Sequence, residues 1–167
     1  MYDELTAVDI QKMQEEIDHR IRVLRPQLIE EVQITRGFGD LSENFEYKCA
    51  KQAKNRNESR IRYLERMIRT AKVIEVKTEE DAVGLFDKVT IYNEMVKKEM
   101  SIQIVTTLRQ DVLKGLVSKE SPVGKAVMGH KVGDRVQVEV SPEMKYFVEI
   151  RAIEKGEDDA SMEISAY

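Results

Sequence analysis

One cysteine, Cys49, in 167 residues rules out a disulfide within the chain and gives no sign of an oxidising compartment. Only 3 prolines and 8 glycines are present, and so few backbone breakers suit long helices. No apolar run approaches the roughly 20 residues that cross a bilayer. The segment Met1-Tyr2-Asp3-Glu4 is acidic and lacks the apolar core of a signal peptide. These absences point to a cytoplasmic protein with no membrane association. Also missing are a phosphate-binding Gly-Lys-Ser/Thr loop, a nucleophile elbow, and Cys or His pairs at zinc spacing. The two histidines, His19 and His130, lie far apart and read as a surface helix residue and a loop residue.

What is present is charge and helical periodicity. Hydrophobic residues make up 41% and charged residues 35%, a balance that suits one or two small folded domains. The net charge of −4 is unevenly spread. From Lys51 to Lys72 there are eight bases against two acids, a local +6 that leaves −10 for the rest. Such a stretch is either a solvated helix face or a surface that can hold a phosphate backbone.

Residues from about 8 to 75 read as two long helices. Ile10, Met13, Ile17, Ile21, Leu24, Leu28 and Val32 recur at steps of three and four, with Pro26 expected to kink the helix. In the second helix, Asn57, Ile61, Leu64, Ile68 and Ala71 form a heptad seam, with Asn57 as a polar register residue. Neither stripe is buried alone, and two antiparallel helices joined by a tight turn solve that problem. The turn is Arg36-Gly37-Phe38-Gly39-Asp40, where both glycines are expected to supply positive φ.

After about residue 76 the pattern changes to alternation. Val89-Thr90-Ile91-Tyr92 and Ile102-Gln103-Ile104-Val105 predict a hairpin turning near Lys97 and Lys98. Ser121-Pro122 predicts a short helix through about Met128, closed by Gly129. Val136 to Val140, and then Phe147, Ile150 and Ile153, predict two more strands. The tail from Gly156 to Tyr167 is acidic and expected to be loose. The fold class is therefore α+β.

Two carboxylates at the tip, Asp40 and Glu43, lie three residues apart. Placed at a helix start they would form a capping box. Exposed on a rigid tip, they could instead contribute part of a Mg²⁺ shell, which needs six oxygens and so a partner to complete it.

Gly37-Phe38-Gly39-Asp40-Leu41-Ser42-Glu43-Asn44, followed by Glu46-Tyr47, resembles the tip of the GreA-type bacterial transcript cleavage factors, a family of transcription elongation factors. The same register runs through Arg60-Ile61, Leu64-Glu65, Ile68 and Ala71-Lys72-Val73-Ile74, and Arg25-Pro26 matches a pair in that family's first helix. Ser121-Pro122-Val123-Gly124-Lys125-Ala126, Gly129 and Val132-Gly133-Asp134-Arg135-Val136 are similar to its C-terminal signature. The resemblance implies an antiparallel coiled coil over residues 1–76 with its functional tip near 37–46. An FKBP-like domain that docks on polymerase would follow over 77–155, then an acidic tail over 156–167.

By the same resemblance, the coil enters the secondary channel of bacterial RNA polymerase. Asp40 and Glu43 help hold a Mg²⁺ shared with the polymerase, which then cleaves the 3′ end of backtracked nascent RNA. The chain itself is not an enzyme. Lys51, Lys54, Arg56 and Arg60 would face RNA or the channel walls. Two positions depart from the family pattern: Phe45 stands where a small residue is usual, and Arg109 replaces an acid on the expected docking surface. The alternatives are a channel regulator that binds without stimulating cleavage and a coiled-coil scaffold.

Overall fold

The computed structural model describes residues 3–40, 43–77 and 79–165. The fold is α+β and divides into two units, Ile10–Ala71 and Asp3–Asp9 with Lys72–Tyr167.

The first unit is a helical hairpin. Helix α1 (Ala7–His19) runs through a five-residue π-helical turn, Arg20–Leu24, into α2 (Arg25–Arg36). The Arg25 N–H donates to Arg20 O, five residues back. Pro26 explains the widening: it has no N–H to donate, and its ring would crowd the carbonyl four residues earlier. The π turn absorbs the proline where a kink was expected.

Helix α3 (Phe45–Thr70) returns antiparallel. The direction is fixed by cross-helix pairs: Glu16 and Arg20 meet Arg60 and Asn57, Arg25 meets Glu58, and Thr35, near the end of α2, meets Asn44 at the start of α3. Ile61 and Leu64 are buried as the heptad seam requires, but Met67 is buried in preference to Ile68. Asn57 occupies the seam and exchanges hydrogen bonds with Arg20, donating to its carbonyl and accepting from its guanidinium.

The second unit is built on a sheet. A short parallel pair, β1 (Glu4–Leu5) with β2 (Lys72–Val73), ties the segment before α1 to the chain leaving α3. The main sheet contains β3 (Lys88–Asn93), β4 (Lys98–Val105), β5 (Leu116–Ser118), β6 (Arg135–Glu139) and β7 (Lys145–Glu154), in the order β5-β4-β3-β7-β6. The β3–β4 hairpin forms where the alternation placed it, and Lys97 adopts φ of 52° in the connection.

Helix α4 (Pro122–Val127) begins at Ser121, whose hydroxyl accepts from the Gly124 N–H, with Pro122 in the first turn. Gly124 also permits close packing, because a Cβ there would lie 2.2 Å from Ser118 O. Val89, Ile91, Ile104, Val127, Val136, Val138, Val148 and Ile150 are at the heart of one apolar core.

In β7 the inward residues are Val148 and Ile150, not Phe147. The pairing with β3 skips Arg151, a bulge that returns Ile153 to the core side. Phe147 instead carries the Arg135 guanidinium, 3.7 Å from its ring centroid.

The acidic tail is held rather than loose. Gly156 N–H donates to Asp87, Asp158 pairs with Arg109, and the Ser165 N–H donates to Leu108 O. Arg109 is one of the anchors. It is 1% exposed, lies 2.7 Å from Asp9 and 2.6 Å from Asp158, and sits over Phe86. The base expected to alter a docking surface is interior, where a charge requires such partners.

Candidate functional site

The tip of the hairpin is assembled from two helix ends and one asparagine. Helix α2 ends at Gly37, whose φ of −77° is ordinary helical backbone; only Gly39, at φ 142°, uses the freedom glycine provides. The Gly37 and Phe38 N–H groups donate to Ile34 O and Thr35 O, closing the helix. Glu43 N–H then donates to Asp40 O at 3.3 Å, which places the two backbones one tight turn apart.

Helix α3 starts four residues later than a cap at Asp40 would require. Its N-cap is Asn44, which accepts from the Tyr47 N–H at 3.0 Å. The expected capping box at Asp40 and Glu43 is therefore not formed as a helix start. The Asn44 amide also donates to Thr35 O at 2.6 Å, so one buried side chain caps the returning helix and satisfies a carbonyl of the outgoing one. This residue lay inside the quoted motif without an assigned role. Its signal was available, since asparagine is among the best N-caps.

With capping taken over by Asn44, Asp40 and Glu43 both face solvent. They are flanked by Phe38 and Phe45, 63% and 73% exposed. Among the described residues no group of three or more His, Cys, Asp or Glu comes together to hold a metal. Two hard carboxylates fit Mg²⁺ in chemistry and cover only part of its shell, so the remaining oxygens must come from a partner or from water.

The four basic residues expected to form one stripe do not share a face. At 3.6 residues per turn, Lys51 and Lys54 neighbour each other while Arg56 and Arg60 lie around the helix from them. Lys51 and Arg56 are exposed and Lys54 is half-buried near Glu58. Arg60 is 6% exposed and turned inward, where its Nε and Nη2 donate to the two Glu16 oxygens at 2.9 and 3.1 Å. It holds the hairpin together and is not available to a nucleic acid. Burial alone would raise the Glu16 carboxyl, but hydrogen bonds from Arg60 and Arg20 outweigh it and hold Glu16 below its ordinary value. The exposed cations of α3 are Lys48, Lys51, Arg56, Arg62, Arg66 and Arg69, and Lys48, Lys51, Arg62, Arg66 and Arg69 line one side.

No described helix is long and apolar enough to cross a membrane. Two family descriptions match the chain: "Transcription elongation factor, N-terminal" over residues 4–73 and "Transcription elongation factor, GreA/GreB, C-term" over 71–155. A relative named transcription elongation factor GreA from Mesoplasma florum is 39% identical over 150 residues, covering 89% of this chain and 96% of its own. The protein of that name from Bacillus subtilis is 38% identical over 135 residues, covering 81% and 86%. The crystal structure of GreA factor homolog 1 from Thermus thermophilus is 25% identical, covers 93% of this chain and 100% of its own, and has a TM-score of 0.42. With both halves of the chain accounted for in order, and two helix ends closing on one asparagine beneath a pair of exposed carboxylates, this protein belongs to the GreA/GreB family of transcription elongation factors.

Proposed function

We propose that the chain presents its hairpin tip, through the secondary channel, to the catalytic centre of RNA polymerase that has slid backward on its template. There it stimulates the polymerase's own cleavage of the protruding RNA 3′ end. The observation that carries this reading is the exposed pair Asp40 and Glu43 at the end of the hairpin, where the cap of α3 is Asn44.

A Mg²⁺ shared with the polymerase would supply activation of the attacking water, with a second ion, held by the polymerase, serving the departing oxygen. The residues of this chain do the positioning. Asp40 and Glu43 supply negative charge and oxygen donors at the end of a stiff lever, and Asn44 fixes the turn that carries them. The Glu16–Arg60 and Glu58–Arg25 pairs hold the two arms in register. Lys51, Lys54 and Arg56 offer charge to RNA phosphates or to the channel wall, whereas Arg60 does not. Because the tip supplies only part of a metal shell, the chain alone cuts nothing.

The test uses purified elongation complexes stalled in the backtracked state, with labelled RNA. Asp40→Asn and Glu43→Gln keep size and much hydrogen-bonding capacity but remove charge. Each is expected to lower cleavage by about a hundredfold or more, the scale of losing one electrostatic contact in a transition state, while binding to polymerase persists. Full cleavage by both variants, or RNA cleavage by the chain without polymerase, would overturn the reading. Binding with no stimulation by the unaltered chain would identify a channel regulator instead.

A further inference from the structure

The start of α3 carries a surface that the tip carboxylates do not use. Phe45, Lys48, Cys49 and Gln52 follow one another at steps of three, one and three, and Lys51 and Asn55 lie on the adjoining row. Together these six line a shallow, largely open groove. Phe45 is 73% exposed, so most of its ring is apolar surface open to water. Among the described residues neither Lys48 nor Lys51 has an ion-pair partner.

A bare ring next to two uncommitted cations and two amide side chains matches the chemistry of one substrate class. An unpaired nucleotide has a flat apolar face to stack, phosphates to pair with ammonium groups, and base edges that accept and donate to amides. Phe45 opens α3 two residues after Glu43, next to the turn that bears the carboxylates. A base stacked there would hold the strand between the carboxylates and the lysines. A double helix offers no exposed base face, and an acidic peptide would leave the ring unused.

We propose that Phe45 is a stacking platform for one unpaired base of the displaced RNA strand, with Lys48 and Lys51 on its phosphates and Gln52 and Asn55 at the base edge. This rests on the reading that the tip meets RNA in the polymerase. Phe45 acts as a positioning residue: it sets which phosphodiester of the displaced strand lies at the carboxylates. The contact tolerates any base, because every base has a stackable face.

The chain has no tryptophan, so Phe45→Trp places a single indole reporter at the platform of the full-length protein. Its fluorescence should be quenched by a single-stranded RNA hexamer, less so at high salt or with Lys48→Gln and Lys51→Gln. A hexamer of the same phosphate count with abasic positions should leave it unquenched. In stalled, backtracked complexes, Phe45→Ala should raise the concentration for half-maximal cleavage by about tenfold, the scale of one lost stack. Phe45→Trp should restore it, and the difference should vanish when the displaced RNA is abasic at the stacked position.

Equal quenching by abasic RNA, or none by either hexamer, would overturn the proposal. So would an equal effect of Phe45→Ala on base-bearing and abasic complexes, which would mean that the ring packs on the polymerase itself. Loss of cleavage in Asp40→Asn with no effect of Phe45→Ala would remove the platform and leave the functional reading intact. Full cleavage by Asp40→Asn would remove that reading, while the hexamer arm would still decide whether the groove takes an unpaired base.

Discussion

The two units of this chain are held by different forces. In the sheet unit the interior is apolar, with Val89, Ile91, Ile104, Val105, Val138, Val148 and Ile150 shielded almost completely from water. The hairpin unit has few such residues, chiefly Met13, Ile61, Leu64 and Met67, and buries Thr35, Asn44, Asn57 and Arg60 alongside them. A two-helix hairpin has no third layer to close over its seam, so burial alone cannot fix its register. Oriented polar pairs do so instead, each in one geometry. A lever that must present two carboxylates at one position needs a register more than it needs a deep core.

The comparison breaks most sharply in the sheet unit at the buried cation Arg109. Arg109→Met should cost about 3–5 kcal/mol, because Asp9 is fully buried and would lose its counter-charge. Amide exchange should show β3 and β4 losing protection while the middle of α3 keeps it. In the hairpin, Glu16→Gln should cost about 2–3 kcal/mol by stranding the mostly buried Arg60. There the loss of protection should appear in α3 and spare the sheet.

Acid should weaken the hairpin through the same ion pairs. The Glu16 and Glu58 carboxyls are both held below their ordinary 4.5 in the folded chain; for Glu58 the hydrogen bond from Arg25 is the main cause. A depressed carboxyl contributes stability that is complete above the ordinary value and lost as pH falls through the folded one. Helicity measured between pH 6 and pH 3 should therefore decline below about pH 4.5. Glu16→Gln should flatten part of that decline.

The smallest effect sharpens the role of the tip asparagine. Asn44→Asp keeps the cap acceptor but loses the donor to Thr35 O, and should cost about 1 kcal/mol. Asn44→Ala loses both and should cost about 2 kcal/mol in thermal melts.

Periodicity made the architecture legible, because alternation at Val89 and Ile91 and the steps of three and four before Arg36 are direct consequences of burial on one face. What it missed shares a cause. The inward turn of Arg60, the burial of Arg109 and the capture of the tail by Leu108 all depend on partners tens of residues away in sequence. A charged residue reads as surface until its counter-charge is placed. At the tip, Asp40 and Glu43 stood out by spacing, but the same spacing suggested a capping box. Only the position of the helix start at Asn44 separates the two readings.

The central claim is that Asp40 and Glu43 contribute oxygens to a Mg²⁺ shared with the polymerase, and the Mg²⁺ dependence of RNA cleavage in stalled complexes tests it most directly. With the unaltered chain, half-maximal cleavage should need about tenfold less Mg²⁺ than polymerase needs alone, the least that two added carboxylate ligands should achieve. Asp40→Asn combined with Glu43→Gln should return that requirement to the value for polymerase alone while the protein still binds. An unchanged Mg²⁺ requirement in the presence of the unaltered chain, or a lowered one that survives both substitutions, would contradict the account.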